Sequence, residues 1–293
     1  MDLGIGLLMD EPGALTAPLG FLDDMKRHAP HILNVQGGSV TPDMVRHQKS
    51  YDLVHTAHPF TGIHLTEHGL DVLENYVREV RDVIGYDVPL AIDHFGHVCV
   101  EDCIRFARRM EKYNLAWMED MVPWMYTDQY VRLRNSTTIP VCTGEDIYLK
   151  ESFRPLIEQG GVSVIHPDIL TCGGALELKK IADMADDHGV AVAVHMAESP
   201  VGCPAAVQTA AAMNHVLALE FHSVDVPWWG DMVTGIPKPL FQNGFIQVPE
   251  KPGLGFDDLN EEVLREHIDP NIPGMWEPTD QWNQEFSNDR IWN

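Results

Sequence analysis

The chain of 293 residues contains no run of about 18 apolar residues, the length that a membrane-spanning helix requires, so a transmembrane protein is excluded. Positive charge is scarce. Lys plus Arg number 20 against 44 Asp plus Glu, a formal charge of −24. Such a chain repels phosphate backbones, and no local basic patch offsets the repulsion, so neither nucleic acid nor an anionic membrane is an expected partner. Cysteine is sparse and odd in number, at five: Cys99, Cys103, Cys142, Cys172 and Cys203. Four of them sit within or beside apolar or tightly turning segments, which fits reduced, mostly buried thiols and a cytoplasmic location. Cys99 and Cys103 have no companion pair at zinc-ligand spacing. The opening, Met1 to Gly13, carries Asp2, Asp10 and Glu11 without a basic leader, so no signal peptide is expected.

What the chain does have is enough apolar content, 44%, for a folded core. Its length allows two domains of about 150 residues, or one α/β barrel of about 250 residues with an appendage. From residue 70 to residue 222 short β-branched runs alternate with helical patterns. The runs are Val88–Asp93, Leu115–Glu119, Ile139–Glu145, Val162–Asp168, Val190–His195 and Val216–Glu220. Their apolar character is continuous rather than alternating, as a strand buried on both faces needs. Helical spacing is present over Leu70–Ile84, Glu101–Tyr113, Lys150–Gln159, Ala175–His188 and Pro204–Asn214. Strand followed by helix, repeated, predicts parallel βα units.

Every run ends in an ionisable residue. These are Asp93, Glu119, Glu145, Asp168, His195 and Glu220, separated by 26, 26, 23, 27 and 25 residues. One βα unit of a barrel takes about thirty residues, and the carboxyl ends of such strands converge on one mouth. Five carboxylates brought together there cannot all stay ionised without positive charge between them. Any one of them, taken singly, reads equally as a helix cap or a salt bridge; a regular register of six does not. Oxygen ligands from Asp93, Glu119 and Glu145 suit a hard ion such as Mg²⁺. Asp168 lies one unit before His195, so its carboxylate can hold one imidazole nitrogen and leave the other to accept a proton. The plainer reading of His195 is a core histidine satisfied by a backbone carbonyl.

Taken together, Ala91-Ile-Asp-His-Phe-Gly-His97, Trp117-Met-Glu-Asp120, Thr143-Gly-Glu145, His166-Pro-Asp168, Gly173-Gly174, Val194-His195 and Ala218-Leu-Glu-Phe-His222 resemble the enolase superfamily. The likeness is to its mandelate racemase and muconate lactonizing enzyme branch, and to galactonate-type sugar-acid dehydratases, over roughly residues 70 to 256. It implies an α/β fold, the TIM-type (β/α)7β barrel of that superfamily. It further implies Mg²⁺ on Asp93, Glu119 and Glu145, His195 as the base, Asp168 as its orienting partner and Glu220 as a donor to the enolate. Mg²⁺ would offset the charge built by removing a proton beside a carboxylate. Glu220 could donate only if protonated, which crowding by carboxylates favours. The implied activity is dehydration of a hydroxy acid or sugar acid to a 2-keto-3-deoxy acid, by a protein that assembles as a homo-oligomer.

Two departures from the family pattern leave alternatives open. Galactonate-type dehydratases carry an acid His two places after the first metal ligand; here Phe95 stands there, between His94 and His97, either of which is a candidate acid; otherwise His195 serves both steps or the reaction differs. The Met1–Gly6 stretch resembles the second barrel strand but lacks the Lys-x-Lys pair of the racemases, so dehydration is favoured over racemisation. By that alignment the capping domain and first barrel strand are expected to be missing at the amino end. An epimerase or cycloisomerase, and a catalytically silent binding or regulatory barrel, remain as other readings. The expected organisation is a barrel over residues 1–230, with residues 8–69 as a long insertion or lid, and residues 231–293 as an extension packed on it. Gly173-Gly174 reads as a tight turn or an anion cradle, and Trp228-Trp229 as a pocket wall or as packing.

Overall fold

A computed structural model describes residues 65, 67–93, 99–197, 199–223, 226–268, 270 and 274–275, together with the backbone of 34–35 and 38–39. Two short strands, β1 (Asn34–Val35) and β2 (Gly38–Ser39), pair antiparallel. The βα succession then begins with α1 (Glu67–Ile84) and α2 (Val100–Met110). It continues through β3 (Met118–Glu119), α3 (Thr127–Arg134), β4 (Val141–Thr143), α4 (Leu149–Glu158) and β5 (Val164–Ile165). It ends with α5 (Ala175–Asp187), β6 (Ala191–Val194), α6 (Gly202–Ala210) and β7 (Val216–Leu219). Strands β3 to β7 form one parallel sheet in sequential order, and a parallel bridge from Ile92 to Met118 adds the first run at its edge. Sequential parallel strands with helices between them make the wall of a TIM-type α/β barrel.

Strand periodicity explains both the continuous apolar runs and the position of the polar ends. Val141, Ile165, Val192 and Val194 point into the main core under the helices. Cys142, Val164 and Ala193 form a second buried cluster on the opposite face, beside Trp117. Both faces are therefore dry. The pairing register sets Glu119 beside Cys142 and Ala193 beside Ala218. Since side chains alternate faces, His166 and Asp168 continue the face of Val164, His195 that of Ala193, and Glu220 and His222 that of Ala218. The helices behave as their patterns predict: α1 buries Leu70, Leu73, Val77 and Arg81. Helix α3 was not among the predicted helices; only Tyr130 and Leu133 of its eight residues are buried, too few for a readable apolar stripe.

Beyond the sheet, β8 (Val233–Thr234) pairs antiparallel with β11 (Asp258–Leu259), around a hairpin of β9 (Phe241–Gln242) and β10 (Phe245–Ile246). Helix α7 (Glu261–His267) follows. Phe221, just past β7, lies edge-on to Trp229 and Phe241, at 4.8 and 3.9 Å between ring centres. Trp229 is buried, and Trp228 stacks on His267, so the Trp pair serves packing. Gly173 and Gly174 take φ of 115° and 85°, a turn closed to most side chains, just before α5. No described helix is long and apolar enough to cross a membrane. Most of residues 8–69, with the histidines of that segment up to His64, lies outside the described residues.

One buried cation ties this frame together. The Arg81 guanidinium donates to the carbonyls of Tyr113, Gly85, Val88 and Asn114 at 2.7 to 3.0 Å. It thereby joins the end of α1 to the approaches of two strands. Arg81→Met should lower unfolding free energy by about 3 kcal/mol, because several carbonyls lose their donor at once. Urea denaturation measures the loss, and a change below about 0.5 kcal/mol, typical of a surface substitution, would contradict this role.

Candidate active site

The six register residues meet where expected, at the carboxyl ends of adjacent strands. Asp168 and His195 form a parallel bridge between the ends of β5 and β6. His195 Nδ1–H donates to Asp168 Oδ2 at 2.8 Å. The other Asp168 oxygen accepts backbone N–H groups of Leu170 at 2.6 Å and Thr171 at 3.2 Å. Fully buried and held on three sides, Asp168 fixes the imidazole and its tautomer. His195 Nε2 points toward Glu145 Oε2 and Glu220 Oε2, each at 3.4 Å. Burial alone would lower the His195 pKa; the Asp168 hydrogen bond and the charges of Glu145 and Glu220 raise it well above the ordinary value.

The carboxylates are arranged in two groups. Ligand oxygens of Asp93, Asp120 and Glu145 all lie within 4.8 Å of one another. This donor set is entirely oxygen and anionic, the chemistry that a hard divalent cation requires. Glu119 stands next to that group but faces His166. Its Oε1 accepts from His166 Nδ1–H and its Oε2 accepts from Trp117 Nε1–H at 2.8 Å. Burial would raise the Glu119 carboxyl, yet His166 holds it below the usual range. His166, for which burial is likewise unfavourable to charge, is pushed up to about 9 by Glu119 and Glu220. Asp93 and Glu145 thus fall in the cation-competent cluster, Asp120 joins them, and Glu119 sits in a second buried group with Cys142 and His166.

Glu220 differs from expectation in its charge. Crowding by carboxylates favours the protonated form that a donor role requires. Burial does act in that direction, but His222, His166 and His195 face it and hold the carboxyl well below the usual range. Glu220 Oε1 accepts from His222 Nε2–H at 2.6 Å, and Oε2 accepts from Met196 N–H at 3.2 Å, with His166 Nε2 3.5 Å away. His94 and His97, the candidate acids, lie outside the described residues.

Sequence reasoning passed over Asp120, His166 and His222, although each lies inside a quoted motif. Asp120 would normally face away from the side of Glu119. A left-handed backbone, φ 44°, turns it, and Thr143 Oγ1–H donates to its carboxylate. The signals for His166 and His222 were their places two residues before Asp168 and two after Glu220, on the same strand faces.

A wall of parallel βα units whose strand ends gather carboxylates, a cation-competent cluster and an Asp-oriented His defines a barrel-type active site. The chain belongs to the enolase C-terminal domain-like family, whose model matches residues 52–263. It is 38% identical over 205 residues to a D-xylonate dehydratase of Haloferax volcanii, covering 70% of this chain and 49% of that protein. It is 32% identical to a D-gluconate dehydratase of Thermoproteus tenax, over 69% of this chain and 40% of that one. Among solved structures, a mandelate racemase/muconate lactonizing enzyme-like protein from Rubrobacter xylanophilus superposes with a TM-score of 0.68 at 36% identity, covering 71% of this chain and 53% of its own. The chain therefore spans about half the length of the curated relatives it matches.

Gly144 is what allows the strand ends to close on one another. A Cβ there would lie 2.8 Å from the backbone of His166. Gly144→Ala should push β4 from β5 and cost about 1–3 kcal/mol, as overpacking does. Thermal melts test this, and an unchanged melting temperature would refute the close approach.

Proposed function

We propose that this chain carries the catalytic half of a Mg²⁺-dependent sugar-acid dehydratase. It takes the proton beside the carboxylate of an aldonate-like substrate and eliminates the neighbouring hydroxyl to give a 2-keto-3-deoxy acid. The observation that carries the reading is the Asp168–His195 pair, 2.8 Å apart and set against the carboxylate cluster. Family membership and the dehydratase relatives support the same chemistry.

Asp93, Asp120 and Glu145, whose oxygens lie together, would hold Mg²⁺; Glu119, the third ligand that the family likeness implies along with Asp93 and Glu145, would join them by giving up its hydrogen bond from His166. Bound there, Mg²⁺ supplies positive charge that offsets the charge growing on the substrate carboxylate and relieves His195 of neutralising Glu145. His195 Nε2 then accepts the α-proton, while Asp168 keeps Nδ1–H in place and stabilises the imidazolium. The dry inner face strengthens each of these interactions by excluding water. Five free thiols, four of them buried, fit a cytoplasmic enzyme, and the family likeness fits a homo-oligomer.

The full chain, incubated with D-xylonate or D-gluconate and Mg²⁺, should release a 2-keto acid, and EDTA should abolish the release. His195→Asn and Asp168→Asn should each reduce the rate at least ~100-fold, the usual worth of a positioned acid or base. Undiminished turnover in His195→Asn, or in EDTA, would rule the mechanism out.

A further inference from the structure

Cys142 and His166 have no part in the reaction proposed above, yet both meet one of its carboxylates. Ligand atoms of Glu119, Cys142 and His166 all lie within 4.8 Å of one another, and the three side chains are buried. Glu119 and Cys142 are paired neighbours on β3 and β4, and Cys142 is paired with Val164 of β5, whose face His166 continues. Three adjacent strands therefore turn a carboxylate, a thiol and an imidazole to one side of the sheet. The cluster of Asp93, Asp120 and Glu145 offers oxygen alone; this group offers oxygen, sulfur and nitrogen.

The donors are also held from outside. Trp117 Nε1–H donates to Glu119 Oε2 at 2.8 Å and leaves Oε1 turned to His166 Nδ1. His166 Nε2 lies 3.5 Å from Glu220 Oε2, and Glu220 is itself held by Met196 N–H and His222. An imidazole with one nitrogen on the donor group and the other against a carboxylate is the arrangement that orients metal-bound histidines. An ion pair explains Glu119 and His166, and apolar packing beside Val164 and Ala193 explains Cys142. Neither explains why ligand atoms of all three converge.

We propose that Glu119, Cys142 and His166 form a Zn²⁺ site, separate from the oxygen cluster that suits Mg²⁺. Thiolate, imidazole and carboxylate are the donors zinc prefers, and three of them leave a fourth tetrahedral position for water. Burial and the neighbouring carboxylates keep Cys142 a thiol while no metal is bound. Zn²⁺ therefore enters as one proton leaves Cys142 Sγ and one leaves His166 Nδ1, both to solvent. Two positive charges replace two, so the dry group keeps its net charge and no unpaired ion is buried. Glu119 is shared between the two sites, so zinc occupancy withdraws it from Mg²⁺ and inhibits turnover. That last consequence, unlike the site itself, rests on the dehydratase reading above.

Co²⁺, which adopts zinc's tetrahedral geometry and absorbs in the near ultraviolet when a thiolate binds it, tests the site on the full chain without turnover. It is supplied both to the purified chain and during expression, because a buried site fills most readily as the chain folds. The parent should show thiolate-to-cobalt absorption that Zn²⁺ abolishes. Cys142→Ser and Cys142→Ala should lack it, and Trp117→Phe, which removes an outer partner, should weaken Co²⁺ binding about 10–100-fold. His166→Gln keeps every thiol and should weaken binding at least ~10-fold, which carries the test if neither Cys142 variant melts like the parent. Absence of the absorption in the parent under both loadings overturns the proposal. Parental absorption in the Cys142 variants or in His166→Gln overturns it too, by placing the metal on another of the five cysteines. With D-xylonate or D-gluconate and Mg²⁺, Zn²⁺ should inhibit keto-acid release at least ~10-fold more strongly in the parent than in Cys142→Ala. Equal inhibition overturns the sharing of Glu119. A parent chain without turnover brings down the dehydratase reading alone, and the cobalt measurement still decides the site.

Discussion

Carboxylates gathered at the dry ends of adjacent strands need positive charge among them, and the arrangement of this site follows from how that charge is supplied. Asp168 is met by His195, Glu119 by His166, and Glu220 by three imidazoles. Asp93, Asp120 and Glu145 form the cluster whose natural complement is a hard cation. The histidines stand in pairs or bridges with the acids, so a buried proton or a metal ion can neutralise overlapping parts of one charge network. Under the dehydratase reading proposed above, binding a cation and freeing His195 as a base are two aspects of a single redistribution of charge.

The rest of the fold keeps that network in place. Apolar residues alternate between the helix-side core and the inner cluster of Cys142, Val164 and Ala193, leaving the strand ends as the place where polar side chains meet. Gly144 permits β4 and β5 to approach closely enough for His166 to reach Glu119. Backbone N–H groups of Leu170, Thr171 and Met196 take up carboxylate oxygens of Asp168 and Glu220, holding them without protonation. Surface ion pairs such as those of Arg105 and Arg109 with α1 are exposed and contribute little by comparison.

Much of this was legible in the residues. The parallel βα order, the strand runs, five of the six helices between α1 and α6 and the Asp168–His195 pair follow from apolar period and from spacing. Helix α3 was not, because its two buried residues make no stripe. Nor was the charge state of Glu220. Counting acids suggested protonation, yet His166 comes from another strand and His222 from two residues further on, and neither distance is written in the chain.

Strand period and the 23 to 27 residue spacing of the units, both written in the chain, fix most of the side chains that can reach the mouth; Asp120, turned there by its left-handed backbone, is the exception. Which partner each carboxylate takes was decided only by tertiary structure. Glu119 and Asp120 are adjacent in the chain, yet one faces His166 and the other Asp93 and Glu145, since a left-handed residue and a close strand approach separate them. Electrostatic pairing depends on distances of a few ångströms across strands. Periodicity specifies the face of a side chain; only packing specifies those distances.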